Sequence, residues 1–263
     1  MLPTERRLAI VDEIRERPMV RADELAQRFQ VSVETVRRDL RALQRDGVLD
    51  RVYGGATPAH HRSVEATFDR RRGQHRNRKR AIARLAAAAI RPGETVVLDV
   101  GTTALEVARA LPHSWHGRVL TCSVPVAVEL AGRPRTEVLL SGGRVRDGDL
   151  ALSGTHAQAF FADYYADRAF LGSGGIHPVA GLTDYHPDEV DTRRVVIERA
   201  ERAYVLADSS KLGVIAVRTV CGLDRITAVL TDGEDNADAA AELEAAGVEL
   251  IRAEPAEGAA RAG

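Results

Sequence analysis

Aromatic residues, cysteines and long apolar runs are all scarce in this sequence. Aromatic side chains make up only 4% of the 263 residues, so the core has to be built from aliphatic side chains and alanine. No apolar run approaches the roughly 20 residues of a membrane span, and the N-terminal stretch MLPTERRLAI has no apolar segment of the kind that secretion signals contain. The two cysteines, Cys122 and Cys221, form no paired-cysteine motif, which excludes a zinc finger. These absences predict a cytoplasmic protein with free thiols and no membrane contact.

Lysine is also rare, and the basic residues are unevenly distributed. Lys79 and Lys211 are the only lysines among the 37 basic residues. Residues 1–80 contain 19 basic residues against 12 acidic ones, a net charge of +7, so the remaining residues carry −8 of the total of −1. A basic N-terminal part on an acidic body favours a polyanion-binding domain attached to a second domain that does not itself bind DNA, although a solvated basic helix would give the same numbers.

The segment from Val31 to Ala56 has the pattern of a DNA-recognition helix followed by a wing. Apolar residues recur on one helix face, which we expect to be buried: Val33, Val36, Leu40 and Leu43. Ser32 is placed to cap that helix by accepting a backbone N–H bond. The residues left on the solvent side are polar or basic and are candidates for DNA contact: Glu34, Thr35, Arg37, Arg38 and Arg41.

Further elements of a winged helix-turn-helix domain flank this helix. Upstream, Thr4 to Arg17 is an amphipathic helix, and Val20 to Phe29 is a second short helix, separated from the recognition helix only by a two-residue turn. Downstream, residues 48–53 are predicted to form two small strands before Gly54-Gly55. Arg51 on this wing is expected to contact the DNA backbone.

The same segment resembles the N-terminal signature of the DeoR-type bacterial transcriptional regulators, which has the form VS-x-x-T-[IV]-RRDL followed by a Gly, an Arg and GGA. The matching residues are Val31-Ser32, Thr35 to Leu40, Gly47, Arg51 and Gly54 to Ala56. The resemblance implies a DNA-binding regulator, most often a repressor in this family. One such DNA-binding domain buries little surface against DNA. Useful affinity for double-stranded operator DNA is therefore expected to require a homo-oligomer, a dimer or a tetramer, on repeated half-sites.

After about Ile82 the pattern changes to short apolar strands that alternate with helices. The predicted strands are Thr95–Val100, Arg118–Cys122, Glu137–Leu140, Arg168–Leu171, Ala203–Ala207, Val217–Val220, Ala228–Leu230 and Val248–Ile251. This alternation predicts an α/β domain with a mainly parallel sheet flanked by helices. The expected domains are a winged helix-turn-helix over 1–57, a linker over 58–80, an α/β sensing domain over 81–253 and a tail over 254–263.

Small polar residues gather where the predicted strands end. In open α/β sheets, ligands bind beyond the carboxyl ends of the strands. A glycine turn that opens a helix, such as Gly101-Thr102-Thr103, presents backbone N–H groups and hydroxyls to a phosphate, although any single turn of this kind is also ordinary strand-to-helix chemistry. Together the strand ends predict one polar effector pocket: Asp99, Gly101, Thr102, Thr103, Ser123, Ser141, Gly142, Gly143, Gly172 and Lys211.

Lys211 is the most specific of these candidates, because the chain uses arginine instead of lysine at almost every other basic position. A compact and flexible ammonium group suits a phosphate or an anionic sugar oxygen. The competing interpretation is an ion pair with Asp208 or a solvated loop charge.

Residues 76–251 resemble the sensor domain of the same regulator family, which is related to ribose-5-phosphate isomerase and to the wider group of sugar-phosphate isomerases and CoA transferases. The matching landmarks are Asp99-x-Gly101-Thr102-Thr103, Ser141 to Gly143, Gly154, Asp167, Phe170 to Gly172, Gly181 to Thr183 and Ala207 to Lys211. The resemblance implies a bound phosphorylated sugar as effector. It does not by itself imply turnover, and it implies no cofactor.

An isomerase-like enzyme fused to a DNA-binding domain is the main alternative. Aldose–ketose isomerisation needs a carboxylate base beside the substrate carbon. The isomerase relatives carry acids in the loop that corresponds to Gly172–His177, and Gly174 and His177 stand at those places here. The acids that would have to substitute lie downstream: Asp184, Asp188 and Glu189. Binding without conversion, and therefore no enzyme, is the favoured interpretation.

Two other classes of function are less well supported. His113 and His116, like His60-His61, lie in polar stretches without a convergent set of cysteines or acids, so no metal site is expected. A DNA-architectural protein without a ligand would leave the polar pocket without a purpose. The sequence therefore predicts a repressor of sugar or carbohydrate metabolism genes that is controlled by a phosphorylated sugar, cytoplasmic, and nucleoid-associated when it is bound to its operator.

Overall fold

The computed structural model describes residues 2–16, 19–45, 49–52, 54–58, 65, 67–232 and 236–253. Contacts divide the chain into two compact units, Met1–Arg62 and Ser63–Gly263. Among the described residues, the first unit encloses one apolar core and the second unit encloses two.

The first unit is a helix-turn-helix with a three-stranded wing. Its elements are α1 (Pro3–Glu16), β1 (Val20–Arg21), α2 (Ala22–Phe29), α3 (Val33–Arg45), β2 (Leu49–Val52) and β3 (Gly55–Pro58). The strands pair antiparallel in the order β1-β3-β2. Gln30, in the left-handed conformation with φ 53°, ends α2 and turns the chain towards α3. The predicted winged helix-turn-helix is confirmed.

Two details of this unit differ from the prediction. Val20–Arg21 is a strand rather than the first turn of a helix, because it pairs with Gly55 and Ala56. The wing turns at Gly54, whose φ of +85° favours glycine, so the second wing strand follows that glycine instead of preceding it. Gly55 has no room for a side chain, since a Cβ there would lie 2.1 Å from the carbonyl oxygen of Val20.

The apolar faces of the three helices enclose the core of the first unit. Its buried residues include Ile10, Ile14, Leu25, Ala26, Val36, Leu40, Leu43 and Leu49. Val36, Leu40 and Leu43 are buried as the helical spacing predicts, whereas Val33 at the start of α3 is only partly buried. A buried ion pair of 2.6 Å between Arg6 Nε and Asp39 Oδ2 holds α3 against α1.

The second unit alternates helices and strands. Its helices are α4 (Phe68–Gly73), α5 (Arg76–Ala89), α6 (Thr102–Ala110), α7 (Val124–Leu130), α8 (Thr155–Ala162), α9 (Pro187–Arg199) and α10 (Ala237–Ala245). Its strands are β4 (Thr95–Leu98), β5 (Gly117–Thr121), β6 (Thr136–Leu140), β7 (Arg144–Val145), β8 (Leu152–Ser153), β9 (Ala166–Leu171), β10 (Gly175–His177), β11 (Gly181–Asp184), β12 (Ala200–Leu206), β13 (Arg218–Cys221), β14 (Ala228–Thr231) and β15 (Leu250–Arg252).

Within the described residues, seven of these strands form one parallel sheet in the order β15-β14-β12-β9-β4-β5-β6. Neighbouring residues of a strand point to opposite faces, so Val97 packs in a core with α8, α9 and α10, while Val96 packs in a core with α5, α6 and α7. The predicted α/β fold with a mainly parallel sheet and helices on both faces is confirmed. Nowhere in the described part of the chain is a helix long and apolar enough to cross a membrane.

Two stretches of the second unit differ from the prediction. The strand expected at Val217–Val220 is not part of the parallel sheet; as β13, it pairs antiparallel with β11, which also pairs with β10. Its partial and uneven burial is typical of a strand covered on one side. The part of the expected linker from Phe68 to Arg80 is helical, in α4 and α5, and the side chains of Phe68 and Lys79 are buried in the second unit.

Both cysteines are free thiols. Cys122 is buried after the end of β5, and Cys221 is partly buried at the end of β13. Burial raises the pKa of the Cys122 thiol well above its usual value and that of Cys221 to about 11. Neither group is an activated nucleophile at neutral pH.

Candidate DNA-binding surface and effector site

Ser32 caps the recognition helix α3 as predicted. Its Oγ accepts a hydrogen bond from the Thr35 backbone N–H at 3.2 Å and lies 2.8 Å from the Thr35 hydroxyl. The cap satisfies one of the N–H groups that a helix leaves without an internal partner at its start. It also ties down the Thr35 side chain, one of the candidate DNA contacts.

The arginines on the exposed face of α3 differ in whether they form an ion pair. Arg37 and Arg41 both approach Glu34, at 3.7 and 3.3 Å, and all three side chains are more than half exposed. Arg38 is exposed and forms no ion pair within the described part of the chain. Since exposed ion pairs contribute little, all three guanidinium groups are available to DNA, and Arg38 most directly. The side chain of Arg51 on the wing lies outside the described residues.

The effector candidates lie beyond the carboxyl ends of five adjacent strands, β12, β9, β4, β5 and β6. Adjacent strands are about 4.8 Å apart, so these ends span roughly 19 Å. The set therefore divides into a central group around Asp99, Thr102, Gly172 and Lys211 and an edge group from Ser123 to Gly143.

Gly101 shapes the central group. It is the N-cap of α6, with φ +116°, a conformation that favours glycine, and open space surrounds the position where a Cβ would lie. No side chain caps α6, so the backbone N–H groups that follow Gly101 face the carboxyl edge of the sheet without an internal partner. Thr102 is buried and Thr103 is partly exposed. This geometry is suited to an anion.

The edge group consists largely of residues with structural roles. Ser123 is buried and its Oγ accepts the Val126 backbone N–H at 3.4 Å, which caps α7. Gly143 has φ +125°, and a Cβ there would lie 2.5 Å from the Ser153 carbonyl oxygen. Gly142 is exposed. The buried hydroxyl of Ser141 is the exception, because it has no hydrogen-bond partner among the described residues.

Arg193, a residue that the sequence reasoning missed, organises the floor of the central group. Its guanidinium is 3% exposed and meets three carboxylates: Asp99 at 2.5 Å, Asp184 at 2.5 Å and Glu189 at 2.8 Å. The contact with Asp184 is an ion pair without hydrogen-bond geometry. A buried charge needs such partners, because the removal of one ion from water is otherwise unfavourable by several kcal/mol.

Asp99 links Gly172 to the cluster formed by Arg193 and its three carboxylates. Asp99 Oδ2 accepts the Gly172 backbone N–H at 2.9 Å in addition to the Arg193 contact. A Cβ on Gly172 would lie 3.0 Å from the Val100 carbonyl oxygen and 3.1 Å from Arg193 Nη2. Asp99 is therefore a structural carboxylate that fixes the ends of β4 and β9, and glycine at 172 follows from close packing.

Lys211 lies in a short 3-10 turn, Ser209–Lys211, after β12. It is partly buried, its Nζ stands 5.9 Å from the centre of the Tyr185 ring, and it forms no ion pair within the described part of the chain. Asp208, the partner in the competing interpretation, accepts instead from the backbone N–H and the hydroxyl of Ser210. The charge of Lys211 is thus not neutralised by its neighbour.

The second lysine of the chain also reaches this site. The ammonium of Lys79, on α5, donates to the carbonyl oxygen of Arg71. Burial is the main cause that lowers the pKa of Lys79 to about 8; Asp208 acts in the opposite direction, and the charges of Arg71 and Lys211 act in the same direction as burial. The two lysines of the protein therefore lie within electrostatic range of one another at the carboxyl edge of the sheet. Sequence reasoning placed Lys79 in the linker, although its rarity was a usable signal.

The acids that an isomerase would need are not free in this site. Asp184 Oδ1 accepts the Tyr185 N–H at 2.6 Å, and Glu189 contacts both Arg193 and Arg146. Burial raises the pKa of Glu189 to about 7, while Arg193 helps hold the pKa of Asp184 below its usual value. Asp188 is partly exposed and pairs with Arg144 at 3.3 Å.

Gly174 and His177, the two loop positions at which the sequence carries no acid, have structural uses. A Cβ on Gly174 would lie 2.9 Å from the Asp184 Cα, and the Tyr185 ring stands 3.0 Å away, so no larger side chain fits. His177 Nδ1 accepts the backbone N–H groups of Val179 and Ala180, at 3.1 and 3.3 Å, and closes the β10–β11 turn.

Two family models match the chain. The model described as a DeoR-like helix-turn-helix domain matches residues 6–62. The model described as a DeoR C terminal sensor domain matches residues 74–233, more than half of the chain. The matches fall on the two structural units.

Similar proteins span nearly the whole length. The HTH-type transcriptional regulator GlpR of Haloferax volcanii is 35% identical over 251 residues, which cover 95% of this chain and 98% of that protein. The glycerol-3-phosphate regulon repressor of Escherichia coli K12 is 31% identical over 88% of this chain and 92% of that protein. A solved ribose 5-phosphate isomerase A from Methanocaldococcus jannaschii shares 18% identity over 52% of this chain and 55% of that one, with a TM-score of 0.39, which is too distant for a conclusion. By its recognition helix and wing, its parallel α/β unit and these matches, the chain belongs to the DeoR family of DNA-binding transcriptional regulators.

Proposed function

We propose that this protein represses genes of sugar or carbohydrate metabolism and is controlled by a phosphorylated sugar or polyol bound at the carboxyl edge of its parallel sheet. The observation that carries the proposal is the uncapped N-terminus of α6 at an edge that also holds Lys79 and Lys211. Two ammonium groups without a carboxylate ion pair in the described residues, next to free helix N–H groups, favour a dianionic group such as a phosphate.

The effector class is supported by the central group of site residues. Gly101, Thr102 and Thr103 offer N–H groups and hydroxyls, and Lys211 offers a flexible charge. Asp99 and Gly172 hold this region in shape, and Ser141 contributes a buried hydroxyl that still lacks a partner in the described part of the chain. Ser123, Gly142 and Gly143 shape the edge of the pocket. The Escherichia coli relative is named for glycerol-3-phosphate, a phosphorylated small molecule, and this supports the proposed effector class.

Binding without conversion is favoured over isomerase activity. The nearby carboxylates, Asp99, Asp184 and Glu189, all contact the buried Arg193. Arg193 lowers the basicity of Asp184, and all three carboxylates are held in ion pairs, so none of them is free to move to a substrate carbon.

DNA is bound through α3 and the wing in this proposal. Arg38 and Arg41, with Arg37, Thr35 and Glu34, enter the major groove, while Ser32 holds the start of the helix and Arg51 touches the adjacent backbone. A single DNA-binding domain of this size buries too little surface for specific binding. The protein therefore binds repeated half-sites as a homo-oligomer, a dimer or a tetramer. Its place of action is the bacterial cytoplasm, on the nucleoid when the operator is occupied.

The DNA assignment is tested by gel-shift titration of Arg38→Ala against a duplex selected by the full-length protein from a random pool. We expect weaker binding and a shallower salt dependence, because a guanidinium contact is lost. Arg21→Ala, which removes an exposed arginine of β1 that pairs with Asp23 in the same unit, is the matched control. Unchanged affinity and salt dependence for Arg38→Ala would remove the recognition-helix assignment.

The effector assignment is tested by calorimetry with a panel of aldose, ketose and polyol phosphates and their unphosphorylated counterparts. We expect at least one phosphorylated compound to bind and Lys211→Gln to abolish that binding, with no binding of the unphosphorylated compound. Arg225→Gln, which removes an exposed charge elsewhere on the second unit, is the control. Turnover of the same compounds by the wild-type protein would instead support the enzyme alternative.

A further inference from the structure

The exposed face of α5 carries a line of arginines. Its solvent-facing positions recur every four residues, and three successive ones are Arg76, Arg80 and Arg84, here called the arginine stripe. The opposite face of the helix is fully used, since Lys79, Ile82, Ala83 and Ala86 are buried. Residues four apart lie one above the other on a helix, about 6 Å apart along its axis, so the stripe is a straight row of guanidinium groups.

The charges of this row are largely uncompensated. Arg76 and Arg84 form no ion pair within the described residues, and Arg80 Nε lies 3.5 Å from Glu106, which also pairs with Arg109. Residues 68–89, which form α4 and α5, contain eight basic residues and one acidic residue, Asp69. This basic segment belongs to a unit that is otherwise rich in acids, since residues 81–263 carry a net charge of −8.

A purely solvated helix face does not require this arrangement. Like charges at i,i+4 destabilise a helix by about 0.2–0.5 kcal/mol per pair, and other exposed faces of this chain mix the two signs, as in the pair of Arg194 with Asp191 on α9. A row of like charges is instead typical of a surface that meets a polyanion.

We propose that the arginine stripe of the second unit is a further DNA-contacting surface that binds the phosphate backbone beside the operator sequence read by α3. It rests on the proposed DNA-binding function. The row from Arg76 to Arg84 is about 12 Å long, so each of its three guanidinium groups can contact a separate phosphate of the DNA backbone. The contacts are sequence-independent and add affinity, not specificity.

Two observations favour DNA over a membrane surface as the partner. A helix that lies on a membrane needs a free apolar face to insert, whereas the apolar face of α5 is already buried in the core of the second unit. Chain connectivity also favours DNA, since only residues 59–67 separate Pro58, at the end of the wing, from Phe68, at the start of α4. The stripe therefore follows the wing closely along the chain.

The test compares the triple variant Arg76→Gln, Arg80→Gln, Arg84→Gln with a matched triple variant, Arg144→Gln, Arg202→Gln, Arg225→Gln, in the full-length protein. The matched variant removes the same charge from exposed positions elsewhere on the second unit. Binding to a random-sequence duplex of about 40 base pairs, roughly four helical turns, and to a duplex selected from a random pool is measured over a range of salt concentrations.

We expect the stripe variant to weaken binding to both duplexes by a similar factor and to lower the magnitude of the slope of log K against log salt by about 2–3, close to 0.9 for each lost phosphate contact. The matched variant should keep the wild-type slope. Equal slopes for the stripe variant and the wild type, with Arg38→Ala still impaired, would overturn the stripe proposal and leave the recognition helix in place.

Other outcomes separate the alternatives. If the wild-type protein binds neither duplex, the proposed DNA function itself fails. If the stripe variant loses binding only to vesicles of phosphatidylglycerol and phosphatidylcholine, or only to an RNA duplex, the assignment of DNA as the partner is overturned. Thermal unfolding of both triple variants confirms that the comparison is made between folded proteins.

Discussion

Arg193 Nε and Asp99 Oδ2 lie 2.5 Å apart in the interior of the second unit, and this contact joins α9 to the carboxyl end of β4. Asp184 and Glu189 contact the same guanidinium. The cluster therefore fixes the ends of the strands from which the candidate effector site is built, while it leaves the neighbouring carboxylates without the freedom that a catalytic base requires.

Arg193→Met should destabilise the second unit by about 3–5 kcal/mol, because it leaves several buried carboxylates without their shared cation. Denaturant unfolding followed by far-UV circular dichroism measures the loss. Arg202→Met removes an exposed arginine from β12 and should change stability by less than about 0.5 kcal/mol. Equal stability of the two variants would mean that the cluster does not hold the strand ends together.

Ser32→Ala should lower the free energy of unfolding of the first unit by about 1 kcal/mol, since the Thr35 backbone N–H loses its acceptor. Ser32→Asp keeps an acceptor at the cap and should restore most of that loss. Thermal unfolding of the two variants distinguishes the cap from any direct contact of Ser32 with DNA. A wild-type midpoint for Ser32→Ala would contradict the capping role.

The stability of the second unit should fall as pH rises from about 6 to about 8. A contact of 3.3 Å between His186 Nε2 and Glu65 raises the pKa of His186, so its stabilising contribution is complete below the unfolded pKa of about 6.5. It is lost as pH rises through the higher folded value. Glu189, with its pKa raised by burial to about 7, acts in the same direction, because the folded state again binds more protons.

Urea midpoints at the two pH values measure this dependence, and His186→Asn isolates the histidine's share. The variant should show a smaller drop than the wild type, while His113→Asn, at an exposed loop position, should show the same drop as the wild type. An unchanged pH dependence in His186→Asn would mean that the contact with Glu65 does not contribute.

Effector binding should be accompanied by proton uptake at Lys79 when the pH is above about 8. Burial holds the pKa of this ammonium at about 8 in the free protein, and a phosphate nearby would raise it. Calorimetry in two buffers with different ionisation enthalpies measures the protons taken up. Lys79→Arg, which stays charged, should bind without uptake, and equal uptake by that variant would place the titrating group elsewhere.

Most of the first unit was predictable from the sequence because its pattern is local. The spacing of Val36, Leu40 and Leu43 predicted the buried face of α3, and the position of Ser32 predicted its cap. The wing was predicted less well. The pairing of Val20–Arg21 with β3 joins residues more than 30 positions apart, and strand pairing over that distance leaves little trace in local periodicity.

The candidate site was predictable only in outline. Strand ends rich in glycine and small hydroxyl residues marked the carboxyl edge, but they gave no indication that Ser123 caps a helix or that Gly143 is required by contact with Ser153. The role of Arg193 was missed because Asp99 is distant from it in sequence and arginine is common throughout the chain. Lys79 was assigned to a linker because the change from polar residues to helix was placed after it.

The sequence by itself determined the two units and their types, because helical spacing, strand length and turn residues act over a few positions, and it determined the family through one long local signature. Only the tertiary structure decided which charges remain available. Asp99, Asp184 and Glu189 share one buried arginine as an ion-pair partner, while Lys211, Arg76 and Arg84 form no ion pair within the described residues. Whether a charged group binds a ligand or a neighbour depends on its distance from other charges and from water, and that distance is set by packing between segments that are far apart in the chain.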